Sequence, residues 1–240
     1  MKAYLMEKSA RMGRALSERQ AEQICAYHEI LIEVNKSMNL TRVPDTMAEA
    51  ADRNYLDSLA PWLMTDWLDK AESLLDVGAG AGFPGLPLAI ALPDTHVVLL
   101  DSLRKRVDFI NDVIKELGLN AEAVHFRAEE AAKRPELREK FSIVTARAVA
   151  ALPTLCELTL PFAAVGGAFI AYHGPKADEE LPQAKEAIRI LGGGAVASIK
   201  APMPERDWDH RLVRIAKERS TPKAYPRKPG EPGRKPLGMK

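Results

Sequence analysis

The stretch Ser73–Gly85, SLLDVGAGAGFPG, decides how the rest of the chain is read. SLLDV is a short apolar run of the kind that forms a buried strand. It leads straight into Gly78, Gly80 and Gly82, and then into FPGLPLAIAL, which reads as a helix. Glycine at a strand-to-helix turn lets the backbone take positive φ and lets a ligand approach the main chain. The helix start behind it offers free N–H groups and a partial positive charge. A second strand, HVVLLDS, ends on Asp101, where a carboxylate can accept two hydrogen bonds from a ribose diol. Strand, glycine turn, helix, strand and acid together predict a site for an adenosine-containing cofactor.

Two such cofactors compete for this reading. A dinucleotide fingerprint GxGxxG requires its third glycine at position 83, which is Phe here. Asp76 also sits badly beside a pyrophosphate, because like charges in a partly desolvated pocket repel by several kcal/mol. A cofactor with an ammonium and a sulfonium would welcome that carboxylate, so S-adenosylmethionine is favoured over a nicotinamide dinucleotide. A P-loop is excluded, since no GxxxxGK[ST] occurs.

Outward from the loop, five more strand candidates follow: AEAVHFRA, FSIVTARA, GGAFIAYHG, AVASIKA and HRLVRIAKE. Helices RKRVDFINDVIKELG, ALPTLCELTLPF and KADEELPQAKEAIRILGG separate most of them. Short apolar runs alternating with helices predict an α/β, doubly wound, mostly parallel sheet. Its ligand crevice lies at the carboxyl ends of the central strands. Residues 1–70 read as a helical cap. Ser17 and Gln20 form a capping box, and Ile24, Tyr27, Leu31, Val34 and Met38 make one apolar helix face. A second helix starts near Thr46, with Glu49 completing another box. Residues 71–219 form the cofactor-binding domain, and 220–240 a basic, proline-rich tail.

The 240 residues suffice for one large core with an appendage. No apolar run is long enough to cross a membrane, and no secretory signal is visible, so a cytoplasmic protein is expected. Cys25 and Cys156 form no CxxC pair, so neither a disulfide framework nor a metal site is expected. Net charge is only +1, but from Lys217 to Lys240 eight Lys/Arg face two Glu. Five prolines in the last twenty residues argue that this segment builds no core of its own. It reads either as a solvated arm or as one lying along phosphates.

The sequence LLDVGAGAGFPGLPLAI, followed by LLDSLRKRVDFI, closely resembles the bacterial ribosomal small-subunit RNA guanine-N7 methyltransferases, the RsmG or GidB family, Gram-positive branch. MNLTRV (38–43), YLDSL (55–59), FRAEEA (126–131), VTARAVAAL (144–152) and the tail TPKAYPRKPGEPGRKPL extend the likeness over nearly the whole chain. The resemblance implies a Rossmann-like class I methyltransferase fold with a seven-stranded sheet and an N-terminal helical extension. It also implies methylation of N7 of a guanine in the decoding-site loop of 16S ribosomal RNA, the guanine 527 region. Within it, Gly78, Gly80 and Phe83 match the cofactor loop, and Ala128 and Glu129 border the adenine. Asp76 would face the methionine ammonium, Asp101 the ribose, and Arg147 the reacting methyl group. Many relatives carry Lys-Gly where this chain has Tyr172-His173-Gly174, which puts Lys176 forward as the RNA-contacting lysine.

The chemistry agrees with what is missing. Guanine N7 carries a free lone pair, so in-line attack on a methyl carbon needs alignment rather than a general base. Cys156 lies inside an apolar helix and reads as a core residue rather than the nucleophile of a pyrimidine C5 methyltransferase. The Asp/Asn-Pro-Pro-aromatic turn of exocyclic-amine enzymes is absent; Ala146-Arg147-Ala148-Val149 stands there, and the arginine can stack on a base or fork onto a phosphate. N7 is inaccessible inside an A-form helix, so the target base must be unpaired or flipped. Lys176, Lys223, Arg227, Lys228, Arg234 and Lys235 are the expected RNA contacts, with up to ~6 counterions released by the tail. Removing everything after Ala216 is then expected to weaken RNA binding and spare cofactor binding. A monomer is expected, with the small ribosomal subunit as partner. The alternatives are a small-molecule methyltransferase and a non-catalytic RNA-binding or assembly protein on the same fold.

Overall fold

The computed structural model describes residues 1–147 and 150–239; Ala148 and Val149 of the ARAVA segment and Lys240 of the tail lie outside the described residues. The sheet consists of β1 (Ser73–Val77), β2 (His96–Asp101), β3 (Ala121–His125), β4 (Phe141–Arg147), β5 (Ala163–His173), β6 (Gly193–Lys200) and β7 (Arg211–Lys217). Its order is β3-β2-β1-β4-β5-β7-β6, with β7 antiparallel to both neighbours and the other pairs parallel. The seven strands and their mostly parallel sense agree with the sequence reading.

Successive strand residues feed opposite cores, because side chains alternate across a sheet. Leu74, Val97, Leu99, Ile143 and Ile170 pack on one face with α1 (Lys2–Arg11), α2 (Glu18–Met38), α4 (Asp57–Met64), α5 (Gly85–Ala91) and α6 (Arg104–Leu117), while the short α3 (Met47–Ala50) leads toward α4. Leu75, Val98, Leu100, Val144 and Phe169 face the other way. There they meet α7 (Ala128–Ala131), α8 (Leu152–Thr159) and α9 (Ala177–Ile190). Among the described residues no helix is long and apolar enough to cross a membrane.

The helical cap forms as its spacing predicts. Ser17 and Gln20 close a reciprocal capping box, and Ile24, Tyr27 and Leu31 are fully buried. The second box is only half made: Thr46 accepts from the Glu49 N–H, while the Glu49 carboxylate takes Arg53 instead. The expected single helix is also interrupted, because Ala51–Leu56 winds as a π-helical stretch between α3 and α4. The wider winding changes which residues share a face, a device common at functional sites.

The C-terminal segment departs from expectation. It is neither a free arm nor a core of its own, but a strap docked by polar groups, with a short helix α10 (Glu231–Arg234). Arg138 donates to the carbonyls of Thr221 and Tyr225 at 2.7 and 2.9 Å. Thr221 N donates to Glu139 at 2.6 Å. Arg227 forks onto Glu157, a fully buried carboxylate of α8, at 2.6 and 2.9 Å. Pro232 is buried beside Thr154. Lys217 is also buried, and its ammonium donates to the carbonyls of Leu160 and Leu191 and to the Thr221 hydroxyl. Burial lowers its pKa to about 8. Tyr225 and Leu237 of the segment pack against the second core, and its polar groups satisfy charges that the domain itself buries.

Candidate active site

The sheet order reverses between β1 and β4, which opens a crevice at their carboxyl ends. Gly78 (φ 77°), Gly80 (φ 62°) and Gly82 (φ 103°) carry the chain over that edge in a conformation that disfavours side chains. Gly80 N donates to Asp101 Oδ2 at 2.8 Å, and Leu103 N to Asp101 Oδ1 at 2.9 Å. The acid therefore ties the glycine loop to the end of β2. Beside it lies a cavity of about 320 Å³, within the range of small-ligand pockets. Gly78, Asp101, Ala128, Glu129 and Arg147 line it, with Phe126 and Leu158 as apolar walls. Five of the residues singled out from sequence are thus brought together.

Asp76 and Phe83 are placed otherwise. Asp76 is fully buried and does not line the cavity. Its Oδ2 accepts from Gly85 N, the first residue of α5, at 2.9 Å, and its Oδ1 from Thr145 at 3.3 Å. Burial raises its pKa to about 7. In the structure the acid is an inner brace that satisfies a helix-start N–H. Phe83 packs between Tyr27 and Tyr55, with ring centroids 5.3 and 5.6 Å away. Among the described residues it meets the crevice through Arg147, whose guanidinium lies 5.2 Å from its ring centroid. Tyr27 grips the same loop, donating to the Ala81 carbonyl at 2.5 Å.

Arg147, at the end of β4, is also the wall of a second cavity of about 370 Å³. Its Nη1 donates to Asp57 Oδ2 at 3.1 Å and to the Arg53 carbonyl at 3.0 Å. His210 meets the other Asp57 oxygen at 2.8 Å. Arg53, His173 and Arg211 add further polar groups, and Tyr172, Ala201 and Leu212 supply apolar walls. Apart from Arg147 and His173, sequence reasoning missed this set. Asp57 stood inside the quoted YLDSL segment, but Arg53 and His210 carry no local signal.

The surface residues proposed from sequence divide. Lys176, at the start of α9, and Lys223, Lys228, Arg234 and Lys235 are exposed. Arg227 and the buried Lys217 are consumed within the fold, so the tail offers fewer free cations than its composition suggests. Gly230 N donates to Glu129 Oε1 at 2.8 Å, which makes the strap a support of the first cavity. Truncation after Ala216 would strip Glu129 and Glu157 of these partners, contrary to the expectation that it would leave the cofactor site intact. Among the described residues no cluster of metal-ligating side chains occurs. Cys156 is fully buried, and desolvation pushes its thiol up, which makes it inert as a nucleophile.

Residues 20–207 match the family described as rRNA small subunit methyltransferase G. The chain belongs to this family. It is 44% identical over 230 residues to the family member from Lactobacillus johnsonii, covering 95% of this chain and 96% of that one. With the member from Pelotomaculum thermopropionicum it shares 45% over 234 residues, 97% of either chain. Both bear the name ribosomal RNA small subunit methyltransferase G. A methyltransferase architecture is also evident from solved structures of low identity. The O-methyltransferase from Bacillus cereus in complex with SAH superposes with a TM-score of 0.58 at 17% identity, over 80% of this chain and 91% of that one. A cofactor-bound protein from MTB, Rv0187, gives 0.56 at 17%, over 82% and 91%. Arg53 and Asp57 fall inside the family match, whereas His210 and the strap lie beyond it.

Proposed function

We propose that this family member transfers the methyl group of S-adenosylmethionine to N7 of a guanine in the decoding-site loop of small-subunit ribosomal RNA. The observation that carries the reading is the position of Arg147, a shared wall between two cavities, one shaped for an adenosine-type ligand and one opening beside it. Bound in the first cavity, the cofactor would supply an electrophilic methyl group on a sulfonium. The donor set there fits it. Asp101 keeps acceptor capacity for a ribose diol beyond its two backbone bonds. Phe126, Ala128 and Leu158 offer apolar contact to a flat base, and Gly78 allows close approach of the main chain. Glu129, fixed by Gly230, borders the same end.

N7 is favoured as the acceptor atom because it needs no proton removed, and what the chain supplies is alignment. Arg147 is held by Asp57, by the Arg53 carbonyl and against Phe83, so its guanidinium is pre-oriented between the cavities. Pre-organised charge at a partly water-excluded site contributes more than the same charge in bulk solvent. Exposed Lys176, Lys223, Lys228, Arg234 and Lys235 are proposed to meet the phosphates, with binding that weakens as salt rises. Such a protein acts in the cytoplasm, where small subunits are assembled.

The test is to incubate the protein with methyl-labelled S-adenosylmethionine and small subunits that lack the modification, then to map the labelled nucleotide. Label in a loop guanine as 7-methylguanine is the expected result. Cofactor binding without label in RNA would overturn the reading and favour a small-molecule substrate or a non-catalytic role.

A further inference from the structure

Resting on that reading, we propose that the second cavity receives the target base and that Asp57, paired with Arg147, selects guanine by reading its O6, N1–H and N2–H₂ edge. The cavity has the size of a ligand site, about 370 Å³, and opens beside the cofactor crevice with Arg147 between them. Leu212, Ala201 and Tyr172 give it apolar surface for a flat ring. The Tyr172 hydroxyl is committed to the Ser58 carbonyl at 2.5 Å, so it contributes wall rather than recognition.

The recognising pair is a donor beside an acceptor. All hydrogen bonds of Arg147 among the described residues leave from Nη1, so Nη2 and Nε remain for a ligand. Asp57 meets Arg147 on one oxygen and His210 on the other, and each oxygen keeps a further lone pair. An arginine donor next to a carboxylate acceptor complements guanine, which presents the O6 acceptor next to the N1–H and N2–H₂ donors. Adenine presents the reverse, an amino donor next to the N1 acceptor. It would set donor against donor and leave a carboxylate facing a lone pair. A base held by O6 at Arg147 also brings its adjacent N7 toward the crevice.

Asp57 is not free to turn away. Its side chain is only 12% exposed, and His210 holds it from the far side. His210 in turn stacks on Trp208 at 5.2 Å, and the Arg53 guanidinium lies 4.5 Å from the Trp208 ring. Arg53 and Asp57, four residues apart where the π-helical stretch Ala51–Leu56 runs into α4, lie on the same cavity wall. In the transfer, the N7 lone pair forms the bond to the methyl carbon as the carbon–sulfur bond breaks and its electron pair goes to sulfur. Positive charge thereby moves onto the purine, no proton leaves, and a carboxylate at N1–H stabilises the charge as it develops.

The experiment uses small subunits reconstituted with guanine, inosine or adenine at the target position. Inosine keeps N7, O6 and N1–H but lacks the 2-amino group. For the wild-type protein, kcat/KM is expected to fall about 10- to 100-fold with inosine, and by about 10⁴-fold or more with adenine. For Asp57→Asn, methylation of guanine is expected to fall about 100-fold or more, and the guanine-to-inosine ratio to collapse to within about threefold. S-adenosylhomocysteine affinity should stay within about threefold of wild type. Equal rates with guanine and inosine in the wild type would overturn the proposal, and so would an Asp57→Asn variant that still discriminates them. The wild-type comparison decides even if the variant does not fold. Failure of the wild type to methylate any of the three would instead count against the proposed function itself.

Discussion

The two cavities that meet at Arg147 are built by different means. In the crevice the acids are held mainly by main chain: Asp101 by Gly80 and Leu103, with Arg106 at 3.4 Å, and Glu129 by Gly230. In the neighbouring cavity the polar groups are held by one another: Asp57 by Arg147 and His210, His173 by Glu180 at 3.2 Å, Arg211 by Asp178 at 3.0 Å. A site held by backbone tolerates the loss of one side chain, because its neighbours keep their partners. A site whose side chains hold one another does not, since removing one member leaves another partly buried and unpaired. The first arrangement suits a small ligand of fixed shape, and the second a base whose identity must be checked.

The strongest way to break this contrast is at the shared wall. Arg147→Ala is expected to lower kcat/KM on RNA by about 10³-fold or more, with cofactor affinity reduced less than about tenfold. Arg147→Lys should recover little of the loss, because an ammonium cannot span Asp57, the Arg53 carbonyl and a ligand at once. Steady-state kinetics beside calorimetric titration with S-adenosylhomocysteine separates the two effects. A loss confined to cofactor binding would assign Arg147 to the crevice alone.

The strap sharpens the contrast from the other side, because its Gly230 N reaches Glu129 of the crevice. Arg227→Ala leaves the fully buried Glu157 without its fork and is expected to cost about 3 kcal/mol. That corresponds to a fall in Tm of roughly 6–12 °C. Replacing both partners by apolar residues of similar size, Glu157→Leu with Arg227→Met, should restore most of it, since a buried ion pair is often matched by good packing. Any effect on the site should appear as weaker cofactor binding through Gly230 and Glu129, with base selection unchanged. Thermal unfolding of the single and double variants checks the stability claim.

The same contrast explains what was legible before folding. The crevice was, because strand, positive-φ glycine turn and strand-ending acid are local backbone requirements written within Ser73–Asp101. The brace at Asp76 was not, since an acid at that position suits a ligand ammonium as well as a helix-start N–H, and only packing reveals the second. The second cavity draws on Arg53 and Asp57, Arg147, His173, Ala201 and His210, parts of the chain related only by tertiary contact. The docking of the strap had one overlooked clue. Glu157 interrupts the apolar helix ALPTLCELTL, and a lone acid there requires a buried cation from elsewhere.

Asp101→Asn tests the main-chain side directly. The amide has one acceptor oxygen where the carboxylate uses both, so one of the bonds from Gly80 N and Leu103 N is lost, together with the ion pair to Arg106 and a charge-assisted partner for a ribose diol. S-adenosylhomocysteine binding is expected to weaken about 10- to 100-fold, one to two steps of about 1.4 kcal/mol. The guanine-to-inosine ratio should be unaffected. A change in that ratio would mean that the cavities are coupled through more than Arg147.

The smallest effect concerns the brace beneath both cavities. Burial raises the Asp76 carboxyl from an ordinary value of 3.8 to about 7, so between those values the folded chain holds a proton that the unfolded chain releases. Proton release on unfolding means that rising pH favours the unfolded state. The contribution of Asp76 to stability is therefore full below about pH 4 and is lost as pH rises toward about 7. Between pH 5 and 6 the loss approaches about 1.4 kcal/mol, the limit for one proton per pH unit. Asp76→Asn keeps an acceptor for Gly85 N and removes the titration. Stability measured by urea unfolding should thus fall across that interval more steeply in the wild type than in the variant. Parallel slopes would place Asp76 ionised in the fold, returning it to the role of a charge available to a cationic ligand.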